Sequence, residues 1–258
     1  MSNKGLELLL SGTILDRQNF AWDATVATSW NKNELLSLSS AQSDTIIISN
    51  DQRHVVGFPL GGYWGKTVQS YSTTTLPDGR VIVDPESIVL SDIHYLGNPL
   101  PTRQASISTD ATFFGWLQVS TLFEHQGGNK LDNATEEFRC GLSWICRPLV
   151  DASAPLKDQA NAFAVFNLGE PEGAFIEDAS FWKWRELSVT LIGTPRIASL
   201  FRASGVRLTL AGRNLHTWTN YTGLDPEVSW AGQQNFYRSD FLTQPQIRRY
   251  TARLSLTY

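Results

Sequence analysis

Seven stretches of this chain alternate apolar and polar side chains with period two, and each, at about ten residues, is long enough to cross a bilayer as a tilted strand. Successive side chains of a strand point to opposite faces, so every stretch acquires one apolar and one polar face. The pattern is plainest in RRYTARLSLTY at 248–258. Tyr250, Ala252, Leu254, Leu256 and Tyr258 fall on one side, and Arg249, Thr251, Arg253, Ser255 and Thr257 on the other. The first stretch, from Leu6 to Leu15, aligns Leu6, Leu8, Leu10 and Ile14; the second, from Phe20 to Asn31, aligns Phe20, Trp22, Ala24, Val26 and Trp30. Two more meet at Gly115, one aligning Ala105, Ile107, Ala111 and Phe113 and the other Leu117, Val119 and Phe123. The fifth, from Phe181 to Ile192, aligns Leu187, Val189 and Leu191; the sixth, from Val206 to Trp218, sets Val206, Leu208 and Leu210 against Arg207, Thr209 and Arg213.

Connections between these stretches alternate in length. Those after the first, third and fifth are short, whereas those after the second, fourth and sixth run to roughly 70, 55 and 30 residues. Loops of that size are uncommon in a compact soluble domain, while outer-membrane barrels combine short periplasmic turns with long extracellular loops. Trp22 and Trp30 share a face and lie about 26 Å apart along a strand, or about 20 Å in height after tilting, close to the apolar band of such a barrel. The expected fold is therefore all-β, an antiparallel transmembrane β-barrel segment with long extracellular loops. Single-chain bacterial barrels have even strand numbers, so an odd count predicts part of a larger barrel.

Composition narrows the function classes. A net charge of −4 offers no basic stripe for phosphate neutralisation, so no nucleic acid is expected as a partner. No apolar run is long enough for a helical span, a test that does not register barrel strands. The start, MSNKGLELLL, lacks the form of a secretory signal. His54, His94, His125 and His216 are scattered without metal or nucleophile spacing, so neither catalysis, a metal nor a cofactor is expected. Glu7, Asp23, Asp110 and Glu124 lie on the polar side of their strands, where solvation or pairing explains them. Cys140 and Cys146 leave both a short-loop disulfide and two free thiols open.

Several stretches resemble the SusC-like (RagA-type) branch of TonB-dependent outer-membrane receptors. They are NKGLELLLSGTI at 3–14, FAWDATVATSWNKNELLSL at 20–38, VGFPLGGYWGK at 56–66, YLGNPLPTRQASIS at 95–108 and HQGGNKLDNATEEFR at 125–139. FWKWRELSVTL at 181–191, LTLAGRNLHTWTNYTGLDPEV at 208–228 and the terminal RRYTARLSLTY complete the set. The resemblance implies the C-terminal strands, about seven, of a 22-stranded barrel in the outer membrane that imports oligosaccharides or peptides. It also implies a SusD-like surface lipoprotein as lid, outer-membrane lipid and the barrel-assembly machinery as partners, and contact with TonB only through an N-terminal part not in this sequence. The family's plug domain and signal peptide are likewise expected outside residues 1–258. Tyr250, Leu254, Leu256 and Tyr258 match the family's C-terminal insertion signal. Where the family often carries DxNxDG, this chain reads STTTLPDGR, retaining only Asp78 and Gly79.

Candidate contacts to substrate or lid are Tyr63 and Trp64 in GGYWG, Trp144, Trp230, Phe236 and Tyr237 in the long loops, and Arg213 and Asn214 at the upper end of the sixth stretch. Each has a structural alternative. Arg213 pairs with a lumen carboxylate, Asn214 supports the loop, the aromatics pack loops together, and Asp225 and Glu227 around Pro226 build a turn. The rival reading for the whole chain is a soluble glycan-binding β-sandwich, with a gene fragment lacking a function of its own as a third.

Overall fold

The structure is a computed structural model that describes residues 1–38, 44–169, 172–232 and 236–258. Its frame is one antiparallel sheet of seven long strands: β1 (Ser2–Arg17), β2 (Phe20–Glu34), β3 (Arg103–Phe113), β4 (Leu117–Gly127), β5 (Phe181–Ile192), β6 (Gly205–Thr219) and β7 (Arg249–Thr257). They pair in chain order, each with the next, so the topology is a pure meander. Among the described residues β1 and β7 keep a free edge and the sheet does not close on itself.

The short connections lie at one end of the sheet. β1 and β2 turn over Gln18 and Asn19, and β3 and β4 over Phe114 to Trp116, where Phe114 (φ 54°) and Gly115 (φ 72°) take left-handed conformations. Glycine suits that second position because it has no Cβ to clash there. The connection after β5, expected to be short, contains a short helix, residues Pro195–Leu200, with proline in its first turn. One row of the expected alternation also breaks. The pairing of β1 with β2 shifts between Thr13 and Leu15, so Leu15 rather than Ile14 stands opposite Trp22 and continues the apolar row.

The long connections lie at the other end. Residues 35–102 form a small sheet from strands Thr45–Ile47, Gln52–Val55, Gly62–Gly65 and His94–Gly97. Residues 128–180 contain the helices α1 (Ala134–Gly141), α2 (Arg147–Val150) and α3 (Leu156–Leu168), which strand alternation gave no reason to expect. Asn133 caps α1 by accepting from the Glu136 amide at 3.2 Å, and the left-handed Gly169 ends α3. A Cys140–Cys146 disulfide links the end of α1 to the start of α2, and both sulfurs are buried against Ala162, Val165 and Phe175.

Burial is inverted relative to a soluble β protein. The fully buried hydrophobic residues, Tyr63, Val83 and Leu131 among them, sit in the connecting loops. The aligned strand side chains face outward instead: Leu6 is 64% exposed, Leu10 60% and Leu254 55%. Among the described residues no second sheet covers that face, so the β-sandwich reading fails for want of a core between two layers.

Candidate functional site

Register places the side chains of the seven strands on two chemically opposite surfaces. On the apolar surface, Leu10 pairs with Val26, Val26 with Ile107, Ile107 with Phe123, Val189 with Val119 and Leu210, and Leu208 with Leu254. Aromatic rings flank this aliphatic band. Phe20 and Phe113 (4.9 Å between centroids), Trp22 and Trp116 lie toward the short turns. Trp30, Trp182, Trp184 and Trp218 lie toward the long loops. Such rings suit a membrane interface, where one side of the indole is apolar and the other wet.

Two indoles on the apolar surface are satisfied within the chain. Trp22 Nε1 donates to Thr109 Oγ1 at 2.5 Å, and Thr109 Oγ1 donates to the Asp23 carbonyl at 3.0 Å. The arrangement recurs two strands on, where Trp184 Nε1 donates to Thr121 Oγ1 at 2.7 Å and that hydroxyl to the Glu186 carbonyl at 2.9 Å. Hydrocarbon cannot supply these partners, so a surface facing lipid needs them from the chain itself.

The opposite surface is polar and divided by charge. Its first four strands carry Glu7, Asp23, Asp110 and Glu124, as expected on the polar side; its last three carry Lys183, Arg185, Arg207, Arg213, Arg249 and Arg253, with Glu186 among them. Thr13 donates to Asp23 at 2.6 Å and Ser120 donates to Asp110, so these acids are satisfied by hydroxyls. Arg213 Nε donates to Glu186 at 2.7 Å, the pairing alternative, and Asn214 (φ 53°) donates to the Ile247 carbonyl at 3.1 Å, supporting the last loop. Both still line a cleft of about 450 Å³ together with Arg185, Gln246 and Arg249.

An ion-pair network that sequence reading missed anchors the GLDPEV loop to this surface. Lys183 Nζ, almost fully buried, reaches Asp225 at 2.6 Å and Glu227 at 2.5 Å; Arg185 also binds Glu227 and reaches Glu124 at 2.6 Å. Burial pushes the Glu227 carboxyl upward, but the Arg185 and Lys183 bonds outweigh it and hold the group below the usual range. Asp225 and Glu227 thus shape a turn and also anchor it. Their partners lie more than 40 residues earlier, a separation that no local motif reveals.

The three long loops interlock above the sheet around Tyr63. Tyr63, a candidate contact, takes the loop-packing alternative: the residue is 0% exposed, and its hydroxyl donates to the Arg238 carbonyl at 2.5 Å while lying 3.4 Å from the Asp132 amide. Gln52 clamps the same junction, donating to the carbonyls of Gly61 (2.7 Å) and Phe236 (2.9 Å) and accepting from the Arg238 amide at 2.7 Å. Gly61 is required here, since a Cβ at that position would stand 2.9 Å from Phe236 Cβ. Trp64 packs in an aromatic cluster with Phe58 (4.7 Å) and Tyr95 (5.5 Å), the loop-packing alternative.

The other aromatics remain accessible. Trp144 is 60% exposed and meets Phe166 edge-on at 5.0 Å; Trp230 is 56% exposed and meets Tyr237 at 5.5 Å; Phe236 stands beside His54 at 5.3 Å. Tyr250, Leu254 and Tyr258 project from the apolar surface, with Leu256 in the same row but partly covered. Glu136, Cys140 and Cys146 place donor atoms within 4.8 Å of one another, but the disulfide occupies both sulfurs and leaves no metal-binding trio.

No family model matches the chain. It is 22% identical over 293 aligned residues to TonB-dependent receptor P3 of Formosa agariphila, covering 100% of this chain and 29% of the receptor. TonB-dependent receptor P26 of the same organism is 23% identical, over 90% of this chain and 26% of its own length. The fold matches a chain of the RagAB peptide transporter with a TM-score of 0.73 at 23% identity, over 98% of this chain and 29% of that one. The 'open-open' state of the RagAB peptide importer gives 0.71 at 20% identity, over 99% and 28%. The chain thus spans less than a third of the length of each of these relatives. Sequence and fold agree on one relationship: the chain is similar in sequence to a segment of two TonB-dependent receptors and in fold to a segment of a RagAB chain.

Proposed function

We propose that this chain supplies a C-terminal part of the wall of an outer-membrane importer, with its three interlocked loops on the extracellular side. The observation carrying this reading is the inverted sheet, whose outward apolar band is flanked by aromatic rings and whose Trp22 and Trp184 indoles are bonded to threonines of the chain itself. The free edges of β1 and β7 would be closed by strands from the rest of a larger barrel, of 22 strands if the family pattern holds. The charged surface then faces the lumen, with the Arg213–Asn214 cleft on the path of a polar cargo, an oligosaccharide or a peptide. Trp144, Trp230 and Phe236, exposed, and the half-buried Tyr237 form the surface offered to that cargo or to a SusD-like lipoprotein lid. Energy coupling through TonB would reach this segment by way of the plug-bearing part of the protein. The role is non-enzymatic.

Insertion of the chain into vesicles whose acyl chains carry bromine tests this reading. Trp22, Trp30, Trp182 and Trp218, each retained as one of a few tryptophans in separate variants, are expected to be quenched, and Trp144 and Trp230 are not. A monodisperse, detergent-free monomer with no quenching at any position would overturn it.

A further inference from the structure

The three loops hold buried oxygen atoms that have no hydrogen-bond partner among the described residues. Asp51 Oδ2, Asp132 Oδ1 and Ser239 Oγ are all buried without a hydrogen bond, in residues that are 6%, 5% and 0% exposed. Their other bonds fix them in place. Ser49 donates to Asp51 Oδ1 at 2.5 Å, the Asp51 carbonyl accepts from the Trp64 amide at 2.7 Å, and the Asp132 carbonyl accepts from the Asp240 amide at 3.0 Å. Asp132 also forms a parallel bridge with Ser239. The groups share one environment: the Asp51 charge is felt at Asp132, both are felt at the Tyr63 and Tyr237 hydroxyls, and Ser239 lies beside the Asp132 carboxyl.

The surrounding charges make the site more acidic. Asp240 and Glu137 add negative potential at Asp132, and among the described residues neither Asp51 nor Asp132 has a salt-bridge partner within 4 Å. The nearby Arg238 acts on Tyr63, and its Nε is itself without a partner. Two ionised carboxylates cannot remain buried together with bare oxygens, so the site must take up positive charge. A proton shared by the two carboxylates, with Ser239 donating to Asp132, is one way to supply that charge; a hard cation is the other, and it coordinates all three oxygens at once.

We propose that Asp51, Asp132 and Ser239 form a divalent-cation site, best suited to calcium, that ties the three extracellular loops together. The donors come from three separate connections and are all oxygen. Calcium tolerates such irregular sets, while magnesium demands near-octahedral geometry. The remaining coordination falls to water and to the Tyr63 hydroxyl at the same junction. No sequence motif marks the site because each loop contributes only one or two donors. The STTTLPDGR turn is a separate place, where Arg80 already pairs with Asp78 at 2.6 Å.

The test uses the whole chain folded in detergent micelles and stripped with a chelator. Terbium, a calcium mimic excited through nearby rings such as Tyr63, Tyr237 and Trp230, is expected to luminesce and to be displaced by calcium at about 0.1–1 mM, the range of extracellular modules. Calcium is expected to slow proteolysis within residues 35–102 and 220–248, and Asp132→Asn to weaken binding by about tenfold or more. Ser239→Ala, a milder change, gives a second reading with the same expected direction, and circular dichroism checks that each variant retains the sheet. Wild-type loops indifferent to calcium, or Asp132→Asn binding as tightly as wild type, would overturn the proposal, as would protection that follows pH alone. None of these readouts depends on the import reading, so the two fail separately.

Discussion

The Tyr63 hydroxyl donates a 2.5 Å hydrogen bond to the carbonyl of Arg238, a residue 175 positions further along the chain. That bond joins the first long loop to the last, at a ring with no exposed surface. Tyr63→Phe keeps the ring and removes the bond, so it is expected to destabilise the loop junction by about 1 kcal/mol. Tyr63→Ala also opens a cavity and is expected to cost about 3–5 kcal/mol. Limited proteolysis of the folded chain, read at residues 35–102 and 220–248, orders the three proteins.

Lys183 is expected to be the most sensitive charged residue of the sheet. Lys183→Met leaves Asp225 and Glu227 buried with half their partners gone, a loss of about 3–5 kcal/mol. pH provides a signature. In the wild type the Glu227 carboxyl is held below its usual value of 4.5, so its stabilisation is present above that pH and is lost as pH falls through the depressed value. Without Lys183 that loss on acidification is expected to shrink or reverse, as followed by denaturant midpoints between pH 3 and pH 7.

Thr109→Val tests the orientation of the sheet in lipid. The substitution leaves Trp22 Nε1 without an acceptor on a surface that, under the proposed reading, hydrocarbon would cover, and is expected to cost about 1–2 kcal/mol in bilayers. Thr251→Val, on the opposite face, is expected to change stability by under about 0.5 kcal/mol. Urea unfolding from vesicles compares them, and equal costs would count against a lipid-facing Trp22.

Asp132 is expected to give the loop junction an inverted pH response. Burial, followed by the charges of Asp51, Glu137 and Asp240, raises its carboxyl well above the ordinary 3.8. The unfolded chain then ionises first, so stability is full below 3.8 and falls as pH rises toward the raised folded value. Asp132→Asn is expected to flatten this slope in chelator-treated protein, measured as the rate of loop proteolysis between pH 4 and pH 8.

The positions of all seven strands were legible because a half-exposed strand writes its two environments into alternate residues. Rows such as Tyr250, Leu254 and Leu256 need no tertiary information to assign. A bulge leaves no such trace. The shift at Ile14 and the break between Trp184 and Glu186, where Arg185 turns toward Glu124 and Glu227, depend on the partner strand's register.

The helices at 134–168 were hidden for a related reason. Their short apolar faces pack on one another and on the disulfide, not on the sheet, so they lack the long periodic stripe that a sequence reading detects. Among the candidate contacts, exposure separated Trp144 and Trp230 from Tyr63, though all three look alike as aromatics in long loops.

Sequence alone determined the two-faced strands and the alternation of short and long connections, because these follow from local periodicity. Only the tertiary structure decided that Asp51, Asp132 and Ser239 are each buried with an oxygen that has no hydrogen bond, and that Lys183 holds Asp225 and Glu227. Those contacts join residues from loops far apart in the chain, and their energy depends on burial and partner geometry that arise only when the loops close on one another.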